Sequence, residues 1–519
     1  VTLLVDTDGD GTADDAQVFA RGFNSIQGLA WYGDQLWIAN APDLTVVRDT
    51  DGDDRADEYR RIYGGLGNLE HGLHGLNFGP DGRLYMSKGN SKGYLRSDSP
   101  ERFVAPSPFA DLWGAQPPEN APTQPEPDVF SVDTYRHGYH NPSDDWGTEG
   151  GVLRCFPDGT GMEVYARGMR NMWDMCFDSQ FNWVGTDQDQ DGGDRILNPF
   201  AGAHFGWGHP WSPHWTGENH PPSNPVSGPV FHGSGTGVAN CTSDSFPDRY
   251  RDAFFCADWL NRNIFVFRPR WDGAVMANME APEMFAKAPQ GRTMGSSQGM
   301  LFDPSDIAFG PDGALWVLSW GHGYGATFEN GEQLDAGRVY RIRFESGVSL
   351  GNQSKYSRAY SSWSVRDLVD DLRHHTLPVR RTNAQAELVR RGEPMVAPLM
   401  HELEKDDLNL GSFTWLIWTL AQISSEDQSV ENYLVHIVGA TDRAESQRIQ
   451  ALRALGLHSM LFQHDLPDII KSALRDDRPR VRFAAILSLI HISEPTRLES
   501  KSRLPSYGLK KGGGGGGGG

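Results

Sequence analysis

Cysteine is scarce in this chain. The four present in 519 residues, Cys155, Cys176, Cys241 and Cys256, show no CxxC or CxxCH spacing, which excludes the usual zinc-knuckle and covalent-haem signatures. Buried thiols are the simpler expectation, with an oxidised Cys241–Cys256 pair left open. Positive charge is also in short supply: 47 Lys and Arg against 68 Asp and Glu leave a net charge of -21. Phosphate backbones are bound through clustered cations, so this balance argues against a nucleic-acid partner. No uninterrupted apolar run approaches the ~18 residues of a membrane-spanning helix, so no span is expected. Neither an initiating methionine nor a signal segment precedes Val1, and the start reads as truncated.

Glycine, proline and tryptophan, at 60, 32 and 16 residues, are plentiful instead, which favours a turn-rich β protein with many aromatic packing positions. One phrase recurs: an apolar or acidic pair, an aromatic, a turn with Asp or Gly, then Leu and an aromatic. It stands at Gly28–Trp37, Gly75–Tyr85, Asp174–Trp183 and Asp306–Trp316, with a looser cousin at Phe246–Phe267. Each copy reads as a β-hairpin with alternating apolar positions, and hairpins at blade-like intervals mean a propeller. Residues 1–345 hold enough strands for six blades. Long insertions at Pro100–Pro142 and Ala203–Gly237 separate the copies.

After a polar linker at 346–362, the period becomes helical over 363–487, with apolar residues three and four apart. Acidic turns at Asp406, Asp442 and Asp476 recur about 35 residues apart, the pattern of HEAT-type helix pairs that stack into a solenoid and carry a protein partner on one face. The expected fold class is therefore multidomain, a six-bladed β-propeller followed by an α-solenoid of HEAT/armadillo-like repeats. Ser488–Arg497, SLIHISEPTR, reads as the translation of a sequencing-library adapter, and a glycine homopolymer follows it. Residues 488–519 are accordingly set apart as a disordered artefact, and without their five basic and two acidic residues the charge is -24.

Two loops read as calcium sites. Asp6, Asp8, Asp10 and Asp14 fall at positions 1, 3, 5 and 9 of an EF-hand-like loop, and Asp49, Asp51, Asp53 and Asp57 repeat the pattern 43 residues later. Hard oxygen ligands at alternate positions suit Ca²⁺, although Gln17 and Arg60 replace the bidentate glutamate that closes a helix-loop-helix hand. Asp187, Asp189, Asp191 and Asp194 form a third candidate metal loop. His71 and His74 stand just before one copy of the phrase and Asn90 just after it; an imidazole oriented by a polar partner is the natural base for a hydroxyl proton. Arg170-Asn171 precedes another copy, so its polar groups can converge with the aspartates at one end of that hairpin. GSSQG at Gly295–Gly299 fits GxSxG, but no strand-to-helix elbow surrounds it.

HGLHGLNFGPDGRLYMSKGN, ARGMRNMWDMCFD, DQDGGDRILNPFAGAHFGW and DIAFGPDGALWVL together resemble the soluble quinoprotein glucose/sorbosone dehydrogenase propellers. They resemble more closely the planctomycete-type membrane-bound dehydrogenases, whose propeller is followed by helical repeats and often a c-type haem domain. The resemblance covers most of Val1–Leu487. It implies a six-bladed propeller with pyrroloquinoline quinone (PQQ) in its pore, oxidising a sugar or alcohol, in a periplasmic or secreted protein. His71 would take the substrate proton with Asn90 beside it, while Arg170, Asn171 and His74 would face the cofactor. The family pattern has an aspartate where Asn90 stands, a lysine where Asn261 stands and an arginine where Ser305 stands. Those departures weaken the clamp on a tricarboxylate quinone. Two other readings stay open: a non-catalytic, calcium-stabilised propeller and solenoid binding glycan or protein, and a calcium-dependent lactonase-like hydrolase using Asn90, Asn171 and Asp187.

Overall fold

A computed structural model describes residues 1–91, 128–131, 150–207, 224–288, 302–344 and 359–490, apart from short gaps within these ranges. Two strands, β1 (Thr2–Val5) and β2 (Asp15–Val18), pair with each other alone. Five sheets follow. The first contains β3 (Ile26–Tyr32), β4 (Gln35–Asn40), β5 (Asp43–Arg48), β6 (Glu58–Tyr63) and β9 (Asp128–Ser131). The second contains β7 (Leu73–Phe78), β8 (Leu84–Lys88), β10 (Gly150–Cys155), β11 (Glu163–Met169) and β15 (Ala203–His204). The third is β12 (Met172–Phe177), β13 (Trp183–Asp187) and β14 (Arg195–Leu197). The fourth is β16 (Gly235–Asn240), β17 (Phe254–Asp258), β18 (Asn263–Phe267) and β21 (Glu283–Lys287), with a β19–β20 ribbon (Arg270–Asp272, Val275–Ala277) between its last two strands. The fifth is β22 (Pro304–Phe309), β23 (Leu315–Ser319) and β26 (Arg338–Ile342), flanked by a β24–β25 ribbon (Phe328–Glu329, Glu332–Gln333).

These sheets are the blades of a propeller. The first strands β3, β7, β12, β16 and β22 succeed one another as neighbours, and apolar cores fill the spaces between blades. Alternation along β4 and β5 explains why: Trp37, Ala39, Leu44 and Val46 point toward blade two, while Leu36, Ile38 and Val47 point the other way. The blades number five among the described residues, and the sixth expected from the sequence is not among them. Ahead of blade one stand only β1 and β2 among the described residues. They form only a ribbon whose edge joins no sheet, and Val1, Leu3 and Phe19 pack on the far face of blade one.

Each of the four close copies of the phrase makes the first hairpin of a blade, and in three of them an aspartate ties the turn. Asp81 Oδ1 accepts from Arg83 N at 3.3 Å, Asp178 Oδ1 from Gln180 N and Asn182 N at 2.9 and 2.8 Å, and Asp312 Oδ1 from Ala314 N at 3.1 Å. All four cysteines are free thiols, so the Cys241–Cys256 bridge does not form. No described helix is long and apolar enough to cross a membrane.

Eight α-helices follow among the described residues: α1 (Val365–His374), α2 (Pro378–Arg391), α3 (Val396–Leu403), α4 (Leu410–Ala421), α5 (Ser429–Gly439), α6 (Glu445–Phe462), α7 (Asp468–Ala473) and α8 (Pro479–Ile490). Ser364 caps α1 by accepting from Asp367 N, and Asn409 caps α4 by accepting from Ser412 N. The linker expected at 346–362 falls mostly outside the described residues. So does 491–519, but Ser488, Leu489 and Ile490 differ from the expected disorder: their apolar periodicity continues α8, and Ser488 Oγ meets Leu452 O at 2.9 Å.

The helices dock on the hairpin turns. Asn383 Oδ1 accepts from Gly33 N, Gln385 Nε2 donates to Pro80 O, Thr414 Oγ1 to Ser179 O and Gln450 Nε2 to Gln180 O, at 2.6–2.9 Å. Phe181, at the tip of the third turn, meets Trp418 edge-on at 5.3 Å. The opposite ends of the same first strands therefore remain clear of the helical region.

Candidate active site

At the ends of the first hairpins away from the helices, the blades share one construction. The residue paired with the start of each first strand is Asn40, Lys88, Asp187, Asp258 or Ser319. In four blades its side chain accepts a backbone N–H from just before that strand. Asn40 Oδ1 takes Ser25 N at 3.1 Å, Asp258 Oδ1 takes Ser234 N at 3.0 Å and Ser319 Oγ takes Asp303 N at 2.8 Å. Asp187 Oδ1 takes both Arg170 N and Asn171 N at 2.9 Å. Blade two breaks the pattern, because a lysine cannot accept. Lys88 Nζ instead donates to Gly89 O at 3.0 Å and Ser91 O at 2.6 Å, and Ser91 Oγ donates to His71 O at 2.5 Å. The exception falls where the two histidines stand.

His71 Nδ1 and Asn90 Oδ1 are 2.6 Å apart. An amide oxygen only accepts, so the ring proton sits on Nδ1 and the lone pair on Nε2. Burial first, and the nearby Arg170 charge second, lower the His71 pKa to about 3, leaving the ring neutral. His74 Nε2 lies 2.9 Å from Asn171 Oδ1, and the ring stacks on Trp173 with centroids 4.3 Å apart. Burial lowers its pKa to about 4. Asn171 is held in turn, its Nδ2 donating to Glu70 O at 3.2 Å. Arg170 is half-buried, its guanidinium 5.8 Å from the Trp207 ring centre, with one long bond from Nη1 to Gln188 O at 3.4 Å. It has donors left to offer an anion.

The structure thus brings together His71, His74, Asn90, Arg170 and Asn171. Sequence reasoning missed Trp173 and Gln188, which extend the site to blade four. Trp173 Nε1 donates to Gln188 Oε1 at 3.0 Å, and Gln188 Nε2 to Ser234 Oγ and Gly235 O at 2.8 and 2.7 Å. It also passed over Asp174, although the acidic openings of two phrase copies, Asp174 and Asp306, stand where other copies have glycine. Every first strand is bulged close to its start, which turns these residues toward the axis. Asp174 Oδ2 accepts from Val238 N at 3.0 Å, and a Cβ on Gly75 would lie 2.3 Å from Asp174 Oδ1. Asp174 is half-buried and Asp306 exposed. Crowding by protein pushes the Asp174 carboxyl well above its usual range, helped by the Asp306 charge, and Asp306 itself to about 6.

The third metal loop of the sequence reading takes another form. Asp187 Oδ2 receives Arg195 Nη2 at 2.6 Å, so both its oxygens serve the blade, and Asp194 Oδ2 accepts from Gly235 N at 2.8 Å. Asp189 and Asp191 lie outside the described residues. In the first acidic loop the carboxylates of Asp6, Asp8 and Asp14 lie within 4.8 Å of one another, and in the second those of Asp49, Asp51 and Asp53 do so. Asp10 lies outside the described residues. Asp14 and Asp57 also brace their loops, accepting from the Thr7 and Thr50 hydroxyls at 2.6 Å. Of the two positions where the resemblance expects cations, Asn261 bonds Asp258 Oδ2 at 2.6 Å and Ser305 bonds Leu318 O at 3.3 Å.

A family of unknown function, DUF7133, matches residues 1–105. No curated protein matches the chain. Among solved structures, the chain is similar to a Thermus thermophilus protein described as an oxidoreductase (glucose dehydrogenase), at 17% identity and a TM-score of 0.39, covering 63% of this chain and 86% of that one. The PQQ-bound aldose sugar dehydrogenase of Streptomyces coelicolor gives 17% identity and a TM-score of 0.30, covering 63% and 96%. The PQQ domain of Coprinopsis cinerea pyranose dehydrogenase gives 12% and 0.34, covering 60% and 83%. Superpositions this loose leave the fold to the strand pairing and the chemistry to the side chains.

Proposed function

We propose that the propeller is a quinone-dependent dehydrogenase that oxidises a hydroxyl of a sugar or alcohol at the bulged ends of blades two and three. The observation that carries this reading is the His71–Asn90 pair beside Arg170. It comprises a neutral imidazole with a defined tautomer, a lone pair on Nε2, and a guanidinium with unused donors next to it. A planar, anionic quinone fits such surroundings, since Arg170 can pair with one of its oxygens and Trp173 and Trp207 offer flat walls. Bound there, PQQ would supply the two-electron acceptor.

The chain's own part is positional and protolytic. Asn90 fixes the His71 ring so that Nε2 can receive the substrate hydroxyl proton. Asn171 and His74 brace each other beneath it, and Asp187 holds the Arg170-Asn171 backbone in place. An anion on Arg170 offsets the second largest of the causes that depress the His71 pKa, so the ring gains basicity when the site is loaded.

The helical region is read as HEAT-type repeats that brace the propeller and offer a partner surface, and the two acidic loops as calcium clips. A periplasmic or secreted location accompanies the reading. The full chain, supplied with Ca²⁺ and PQQ, should show saturable quenching of tryptophan fluorescence and sugar-dependent dye reduction that His71→Ala abolishes. Absence of quinone binding ends the proposal. One observation favours a second reading, binding without chemistry: a ring whose pKa lies near 3 is a weak base, and Asn90 has no charge with which to stabilise its imidazolium.

A further inference from the structure

A cleft lies where the helices meet blades two and three, far from the histidines, and its charge does not balance. Arg83, Arg154 and Arg453 line it together with Tyr85, Phe181 and Met460. Among the described residues, two carboxylates answer the three guanidiniums. Glu163 Oε1 accepts from Arg83 Nη1 at 2.5 Å and from Arg154 Nε at 2.6 Å, and Asp81 Oδ2 stands 3.9 Å from Arg154 Nη1. Arg453 is spent on carbonyls, Nη1 on Gln180 O at 3.2 Å and Nη2 on Phe181 O at 2.9 Å.

Arg83 is the incomplete member. It is 3% exposed, its Nε has no hydrogen-bond partner, and the one acceptor at its Nη2 is the Met460 thioether sulfur at 3.1 Å. A thioether is a weak acceptor, and a buried cation with unmet donors is costly. The Arg83 pKa is lowered by burial and by Arg154, in keeping with a cation short of negative charge.

We infer that this cleft binds one small monovalent anion, a halide or the carboxylate of a short monoacid, on Arg83. The bound charge balances the three arginines and completes the joint between propeller and helical region, since Arg83 and Arg154 belong to blade two and its turn while Arg453 and Met460 belong to α6. The cleft is narrow, with room for about two or three water-sized groups, which excludes phosphate esters and sugars.

The test uses the full chain and bromide. Thermal unfolding is followed at constant ionic strength, with bromide replacing gluconate, an anion too large to enter. The midpoint should rise and saturate with bromide in the wild type and stay flat in Arg83→Met, whose circular dichroism must first match the wild type. If that variant does not fold, bromide-soaked wild-type crystals decide through an anomalous peak within hydrogen-bond reach of the Arg83 guanidinium. Loss of that peak to acetate assigns the site to carboxylates, and its persistence assigns it to halides. An equal bromide response in both proteins, or a map without a peak at Arg83, overturns the inference.

Discussion

His71 and Asn90 are joined by a 2.6 Å hydrogen bond between Nδ1 and the amide oxygen, across the 19 residues of a single blade hairpin. An amide at this position orients the ring without charging it. Asn90→Asp would place a carboxylate on the same nitrogen, and a neighbouring negative charge favours the imidazolium. The His71 pKa, now about 3, should rise by roughly two units or more, read from the ring C–H signals in an NMR titration. If the site is catalytic, kcat should rise with it. An unmoved pKa would show that Asn90 does not face the ring.

Acid stability follows from the two neutral histidines. Their folded pKa values, about 3 for His71 and about 4 for His74, lie below the ordinary 6.5, so the unfolded chain binds more protons as pH falls. Their stabilising contribution is complete above pH ~6.5 and is lost toward pH ~4, by up to about 1.4 kcal/mol per pH unit for each ring. Asp178, only 7% exposed, acts with opposite sign: burial raises it to about 6, so the folded state gains protons, and stability, between pH ~6 and ~4. Asp178→Asn removes this opposing group. Urea unfolding at pH 7 and pH 5 should therefore show a steeper acid loss in that variant than in the wild type.

The recurring phrase made most of the propeller readable from the sequence alone. Its four copies and looser cousin correspond to five blades, with Asp81, Asp178 and Asp312 tying turns as such aspartates do. A strand count over residues 1–345 does not say which sheet a strand joins, and β1 and β2 join none of the five. Asp187 was harder. Acidic residues at alternate positions suit a metal loop, yet Asp187 is the last residue of β13, where its oxygens meet the Arg170 and Asn171 N–H groups and Arg195. Nothing local in the sequence says that an arginine eight residues on folds back to that carboxylate.

The acidic loops at Asp6–Asp14 and Asp49–Asp57 remain the best candidates for calcium. Clustered carboxylates repel one another without a cation; the Asp51 pKa is raised, first by the Asp53 charge. Calcium at millimolar concentration should raise the unfolding midpoint and chelation should lower it, with Asp49→Asn and Asp51→Asn together removing much of the response. A midpoint indifferent to calcium would leave both loops as solvated turns.

Gly75 and Asp174 test whether the bulged strands set the geometry at the axis. A Cβ on Gly75 would stand 2.3 Å from Asp174 Oδ1 and 3.0 Å from Asp174 Cα, closer than real contacts allow. Gly75→Ala must therefore displace the carboxylate from Val238 N, one of the bonds between blade three and blade four. We expect a loss of about 1–3 kcal/mol in urea unfolding from the overpacking. The double variant with Asp174→Gly, which restores the small residue found in the neighbouring blades, should recover part of that loss. If the two substitutions simply add, Gly75 and Asp174 do not press on each other, and the close inter-blade approach at the axis is not what shapes the site.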